Sequence, residues 1–347
     1  MAVVFTGTKL PQSSLQEIVQ ELYQDSATFR DGIIDIQEGH KSGVEVYESK
    51  VSVTAKAASS GPVTADGTIA TSANRTAVTL DSIEFSDFID QKTLLDTRFQ
   101  KSMAKGAYNL VSSEYDNAVL QQIQPAIGES VENLIWNGAK AATATAIAAL
   151  TAGAGQGLIS AGAKTLVAAM PVSLVDSITT VILYNASQSK ATPGAGLGDY
   201  KKCLSITTPT AANIAAQYAI IYAAGDDKVI NNKVTAPIIF APLADRQLIK
   251  IANNAVGAAQ QLNFLIEGSG VTEKISYNGI QINFVPLVGF RILTLPKYLK
   301  VLMDMQSDLS TLEIGDVANG AQQKWYKNIQ TFAAWVVNQK YITLYGG

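Results

Sequence analysis

Residues Ser113–Gly138 read SEYDNAVLQQIQPAIGESVENLIWNG, and this stretch decides the fold. Its apolar residues fall at Tyr115, Ala118, Val119, Ile123, Ala126, Ile127, Val131, Leu134 and Ile135. Steps of three and four keep them on one face of a helix. Glu114, Asp116, Gln121, Gln124, Glu129 and Glu132 fill the opposite face. Asn137-Gly138 closes the run, with Gly138 expected in the left-handed conformation of a helix end. At about 1.5 Å per residue the rod approaches about 40 Å, against a mean helix of about three turns. The remaining chain must pack along it.

Two residues inside the run are awkward. Pro125 lacks an N–H and crowds the carbonyl one turn back, which favours a kink. Gly128 costs up to about 1 kcal/mol against alanine. A break between two helices is one reading. A single rod with a bend at Pro125 and Gly128 is the other, and the unbroken periodicity across Pro125 favours it.

Composition narrows the classes of function. The chain has 347 residues and a formal net charge of −3, so no global field draws it to nucleic acid or anionic membrane. Only 16% of residues are charged, which suits a chain with much surface in sheet or subunit contacts. Cys203 is the only cysteine and His40 the only histidine. Together they exclude an internal disulfide and a Cys/His zinc cluster within one chain, and they argue against Ser-His-Asp or Cys-His catalysis. His40, between Gly39 and Lys41, is expected at the surface. No catalytic residue, cofactor or metal site is expected, and the chain is not read as an enzyme. MAVVFTGTKLPQ at the start has no basic, apolar signal pattern. The uncharged run Ala141–Ala163 is mostly Ala, Gly, Thr and Ser, too weakly apolar for a membrane span. A soluble protein is expected.

Working outward from the helix, Ala2–Lys9 reads as an extended arm and Leu10–Phe29 as a short helix. Val44–Lys56 and Ala77–Phe85 alternate like strands, each with a phase shift that suggests a bulge or twist. Between them Ala58–Asn74 is rich in Gly, Ser, Thr and Ala. The economical picture is a long two-stranded arm with a loose tip. An isolated ribbon is marginal in water, so the arm is expected to lie on a neighbouring molecule, through Val51, Val53, Pro62, Val78 and Leu80. Asp87–Asn109 reads as a helical lead-in to the rod.

Beyond the rod, Gly153, Gly155, Gly157 and Gly162 mark a loop. Leu166–Leu183 is expected to hold a short helix after Pro171 and a strand, and Thr192–Gly198 is a second glycine loop. Thr210–Tyr222 and Leu243–Ala259 read as helices and Ala236–Ala241 as a buried strand. Tyr277-Asn278-Gly279-Ile280 is a turn into the strand Gln281–Val285. This middle third is an α+β mixture with its own core. Arg291–Met305 is strand-like. Thr331–Leu344 reads as a strand lying beside the long helix, in a stretch whose aromatic residues anchor the C-terminus.

Several motifs fail on spacing or context. Gly157–Thr165 has one residue too many before Lys164 for a phosphate loop. Gly194–Gly198 lacks the strand-turn-helix setting of a dinucleotide site. Asp226-Asp227 and the pair Asp304 and Asp308 read as solvated carboxylates. Asn74-Arg75-Thr76 fits a glycan acceptor without a secretory context. No basic cluster is interleaved with aromatics, as nucleic-acid recognition would require.

The order of parts then carries a resemblance. An arm, a long two-stranded loop, a one-sided helix ending in Glu132-Asn133-Leu134-Ile135-Trp136-Asn137-Gly138, and a separate α+β unit with Asn278-Gly279-Ile280-Gln281-Ile282 follow one another. The chain returns through Leu299-Lys300-Val301-Leu302-Met303 to the aromatic C-terminal strand. This resembles the major capsid proteins of tailed bacteriophages, the Hong Kong-type capsid fold shared with herpesviruses and encapsulins. Pro296-Lys297-Tyr298 departs from the Gly-Asp-aromatic turn common in relatives. The resemblance implies an α+β fold divided as N-terminal arm 1–43, E-loop 44–90, P-domain with spine helix 91–140, A-domain 141–290, and return segment with C-terminal P-domain strand 291–347. It implies self-assembly as hexamers and pentamers into an icosahedral shell around double-stranded DNA. Portal, scaffold and decoration proteins are implied as partners, with non-specific DNA contact and no membrane. The implied location is the virion capsid, assembled in the host bacterial cytoplasm. An encapsulin-like compartment holding an enzyme cargo, or a soluble oligomeric enzyme using the glycine loops, are the alternatives. Family members change spine-helix curvature on maturation, which gives the bend at Pro125 and Gly128 a role. Some relatives carry a Lys–Asn crosslink, which Lys50 and Lys56 alone do not assign.

Overall fold

A computed structural model of the chain describes residue 28 and residues 31–53, 69–90, 113–150, 160–188, 201–203, 208–255, 263–268, 273–305, 313–316 and 323–346. The expected arm, first helix and second glycine loop lie outside these residues, apart from Thr28.

Alternating β-branched residues produce the first strands. After β1 (Asp35–Gln37), β2 (Gly43–Val53) and β3 (Ile69–Thr79) pair antiparallel from Gly43↔Thr79 to Val53↔Ile69. The register is unbroken, so the phase shift in the first strand is not a bulge. In the second it marks a change of sheet. β3 ends at Thr79, Leu80 turns the chain, and β4 (Asp81–Asp90) enters another sheet. Val78, Leu80 and Ile83 are buried across that junction. Asp87–Asp90, expected to be helical, is strand, because ten rungs to the C-terminal strand hold it extended. Ile69–Asn74 is strand rather than loose tip.

Ser113–Trp136 is one helix containing Pro125 and Gly128, about 36 Å long. Ile127, Val131, Ile135 and Trp136 are buried on its inner face. Gly138 is not left-handed. A side chain there would meet Ser173 Cβ at 3.1 Å and the Leu134 carbonyl at 3.3 Å, a tight approach that favours glycine.

Helices Ala141–Ala149, Ala161–Ala169 and Ile178–Gln188 follow. Gly162 therefore lies in a helix, not a loop. Around Pro171 the order is helix, short link, helix, and the expected strand is only a bridge of Val172 to Ala139. Then come β5 (Lys201–Cys203), helices Ile214–Ala224 and Asp227–Ile230, β6 (Ile238–Pro242) and helix Leu243–Ala255. β7 (Phe264–Glu267), β8 (Lys274–Tyr277) and β9 (Ile280–Val285) lead to β10 (Arg291–Thr294), β11 (Leu299–Met303) and β12 (Glu313–Asp316). β13 (Gln323–Val336) and β14 (Thr343–Tyr345) end the chain.

These strands make three sheets. β13 is the spine of a five-stranded sheet, with β4 along one edge and β11 and β12 along the other, and β1 outside β11. A seven-stranded sheet runs β5-β14-β10-β6-β9-β8-β7. The ribbon β2-β3 is a sheet of its own. Of the two apolar cores among the described residues, one gathers the long helix, the three helices after it, the five-stranded sheet and, through Phe240, Val285, Ile292 and Leu344, the seven-stranded sheet. The other lies among helices Ile214–Ala224 and Leu243–Ala255 and the seven-stranded sheet. Arg291–Thr294 and Thr343–Tyr345 are strands of the seven-stranded sheet, and the helices within 141–188 contribute to the first core. The expected strand Thr331–Leu344 divides between β13, which ends at Val336, and β14 in the other sheet, and β13 contacts helix Ile178–Gln188, which also contacts the long helix. Among the described residues no helix is long and apolar enough to cross a membrane.

Candidate functional site

The structure has two features that local folding alone does not account for, the free ribbon and the bonded end of the long helix. Among the described residues, backbone hydrogen bonds fix the ribbon at its base. Leu80 N–H donates to the Ser42 carbonyl at 3.1 Å, and Gly39 and His40 N–H groups donate to the Asp304 and Met303 carbonyls at 2.8 and 3.1 Å. Lys140 pairs with Asp81 at 2.6 Å just past the junction. From there two strands of 11 residues extend about 37 Å.

The last carbonyls of a helix have no partner within it, and here side chains supply them. Thr179 Oγ1 donates to the Trp136 carbonyl at 3.0 Å and Thr180 Oγ1 to the Gly138 carbonyl at 2.8 Å. Asn137 Oδ1 accepts the Val288 N–H at 3.0 Å. The Glu132 carboxylate accepts the Thr28 N–H and, at 2.9 Å, the Thr28 hydroxyl, which accepts the Trp136 indole N–H at 2.8 Å. The Trp136 ring lies 5.2 Å from that of Phe240 on β6. The helix end thus meets an upstream residue, a later helix and the second sheet at once.

A buried polar network lies deeper. Arg291 on β10 donates twice to Asp245, in the first turn of helix Leu243–Ala255, and the Tyr218 hydroxyl donates to the same carboxylate at 2.9 Å. Burial pushes the Arg291 pKa down, but the Asp245 hydrogen bond and charge outweigh it and leave it raised. Burial, then the Asp245 charge, pushes the Tyr218 hydroxyl well above its ordinary value. The Arg291 guanidinium also sits 5.4 Å from the Tyr345 ring centroid. The Asp245 carboxylate therefore accepts from both Arg291 and Tyr218.

The residues expected to touch a neighbour separate. Val51 and Val53 stand on the outermost described rungs, paired with Thr71 and Ile69. Pro62 lies outside the described residues. Val78 and Leu80 are corrected: they are 6% and 7% exposed in the core beneath the ribbon, so their own chain already occupies them. Pro125 is exposed and Gly128 half-buried, both inside the helix. His40 is half-buried, between exposed Gly39 and Lys41. Lys164 donates to the Leu150 carbonyl at 2.7 Å, and Asp226 caps a short helix through the Lys228 N–H. Among the described residues no group of His, Cys, Asp and Glu side chains could hold a metal ion. Sequence reasoning missed Asp245, Arg291, Thr28 and Glu132 as joints. Arg291 inside the apolar run Phe290–Leu295 was the available signal, since a charge there requires a buried partner.

No family model matches the chain, and no curated protein does. Solved structures do. The capsid of Myoviridae phage XM1 matches at TM-score 0.51 and 13% identity, covering 99% of this chain and 99% of that one. Microbacterium phage Oxtober96 matches at 0.51 and 9%, covering 97% and 96%. The capsid of an empty GTA particle matches at 0.50 and 10%, covering 94% and 98%. Over nearly its whole length, this chain has the Hong Kong-type fold of phage capsid proteins.

Proposed function

We propose that this chain is a major capsid protein of a tailed phage, a tile that assembles as hexamers and pentamers into an icosahedral shell around double-stranded DNA. The observation that carries the reading is the β2-β3 ribbon. Among the described residues its 11-residue strands pair with each other and join no other sheet, and a two-stranded ribbon gains stability only by packing on something else. A second copy supplies that surface. The relatives in structure, described as capsids, support the same reading.

In this reading the function is mechanical rather than enzymatic. The net charge of −3 suits an inner wall that must not grip DNA, since each neutralised phosphate adds affinity through released counterions. Portal, scaffold and decoration proteins are its further partners, and assembly takes place in the host bacterial cytoplasm. Pro125 and Gly128 give the long helix a place to change curvature as the shell matures. Purified particles treated with nuclease test the proposal. It requires large particles that protect double-stranded DNA. Particles enclosing a protein cargo and no DNA would instead establish a cellular compartment, and a small soluble oligomer would exclude a shell altogether.

A further inference from the structure

The chain contains the pairs Asn137-Gly138, Asn278-Gly279 and Asn319-Gly320, the last outside the described residues. The first two stand in opposite surroundings. Asn278 (φ 47°) and Gly279 (φ 80°) form the two-residue turn between β8 and β9. Both are exposed, and nothing lies within 4 Å of where a Gly279 side chain would begin. The Asn278 N–H donates to the Asn263 carbonyl at 3.0 Å, which holds the turn but engages neither reacting atom. Asn137 is 6% exposed, its Oδ1 is held by the Val288 N–H, and Gly138 is crowded by Ser173 and the Leu134 carbonyl.

We propose that Asn278 is a site of spontaneous deamidation in the folded protein, and that the fold protects Asn137 from the same reaction. The Gly279 amide nitrogen attacks Asn278 Cγ, unobstructed because glycine has no Cβ. The N–Cγ bond forms, the Cγ–Nδ2 bond breaks, and ammonia leaves with the proton from the Gly279 nitrogen. Water then opens the cyclic imide. Cleavage at Cγ gives aspartate, and cleavage at the former backbone carbonyl gives isoaspartate. The net change is ammonia out and water in, and the new carboxyl ionises.

The two products differ in consequence. Aspartate tolerates the positive φ that this turn requires. Isoaspartate inserts a methylene into the backbone and cannot close a two-residue turn, so it loosens the Tyr277↔Ile280 rung at the end of the seven-stranded sheet. At Asn137 the imide ring has no room to form, because the side-chain oxygen and the glycine nitrogen are both packed into the junction below the long helix. The inference does not depend on the shell reading.

The test uses the full chain, folded and denatured, incubated near neutral pH and mapped by peptide mass spectrometry with enzymatic detection of isoaspartate. In denaturant both peptides are expected to convert at comparable rates. In the folded chain the Asn278 peptide converts and the Asn137 peptide does not. A folded chain in which Asn278 stays intact, or in which both convert alike, would overturn the proposal. So would a denatured chain in which neither converts.

Discussion

Arg291 reaches both carboxylate oxygens of Asp245, at 2.5 and 2.7 Å, with each side chain 2% exposed. The contact ties β10 to helix Leu243–Ala255 across 46 residues of sequence. Losing one partner leaves a buried charge without its counterion. Asp245→Asn or Arg291→Met is expected to cost about 3–5 kcal/mol, and a paired apolar replacement of both less than either. Denaturant unfolding of the three variants measures it. Single variants as stable as the parent would show that the pair is not structural.

Glu273 is held by Lys250 at 2.7 Å and Arg246 at 3.3 Å. The Lys250 hydrogen bond pulls its pKa below the usual carboxylate value, burial opposes this, and Arg246 adds to the pull. A depressed folded pKa stabilises the chain above the unfolded carboxylate's pKa. That contribution is lost as pH falls through the lower folded value. Glu273→Gln should therefore lower the melting temperature at neutral pH and flatten its decline into acid. Parallel acid limbs for the two proteins would remove Glu273 from the account.

Pro125 lies inside a continuous helix and is exposed. Pro125→Ala restores an N–H donor and relieves a penalty of up to about 3 kcal/mol. The variant should keep the fold and stiffen the helix at this point. Electron microscopy of early and late particles should show the curvature change shrinking in Pro125→Ala. An unchanged difference would place the bend elsewhere.

Gly138→Ala puts a Cβ within 3.1 Å of Ser173 and 3.3 Å of the Leu134 carbonyl. Crowding of this kind costs about 1–3 kcal/mol. A loss in thermal unfolding that Ser173→Gly partly restores would confirm that contact, and an additive result would refute it.

How much of this was legible in the sequence follows from the range of each signal. The rod, the ribbon and the Asn278-Gly279 turn show local periods or turn chemistry, and all three are present. Ala141–Ala149 and Ala161–Ala169 are so rich in alanine that no apolar stripe distinguishes helix from loop, and only Ile147, Ala163 and Val167 are buried on them. The break at Leu80 escaped notice because Val78, Leu80 and Ile83 all face inward while the hydrogen-bond partner changes. Gly138 stands at the helix end without the left-handed conformation the sequence suggests, and the tight contact there comes from Ser173. The pairs Thr28 with Glu132 and Asp245 with Arg291 join distant segments, and no local pattern announces them.

Removing residues 48–74 and closing the ribbon with a two-residue turn leaves Val78, Leu80 and the core beneath untouched. The shortened chain should fold with near-parental stability and remain as small species on sedimentation. Large particles from that variant would mean that the ribbon is not the joint.

The most direct measurement is an electron-microscopy map of particles formed by the full-length chain, traced through Gly43–Thr79. The account predicts closed shells in which every ribbon lies along an adjacent copy. A chain that forms no particle, or a ribbon folded back on its own subunit, would contradict it.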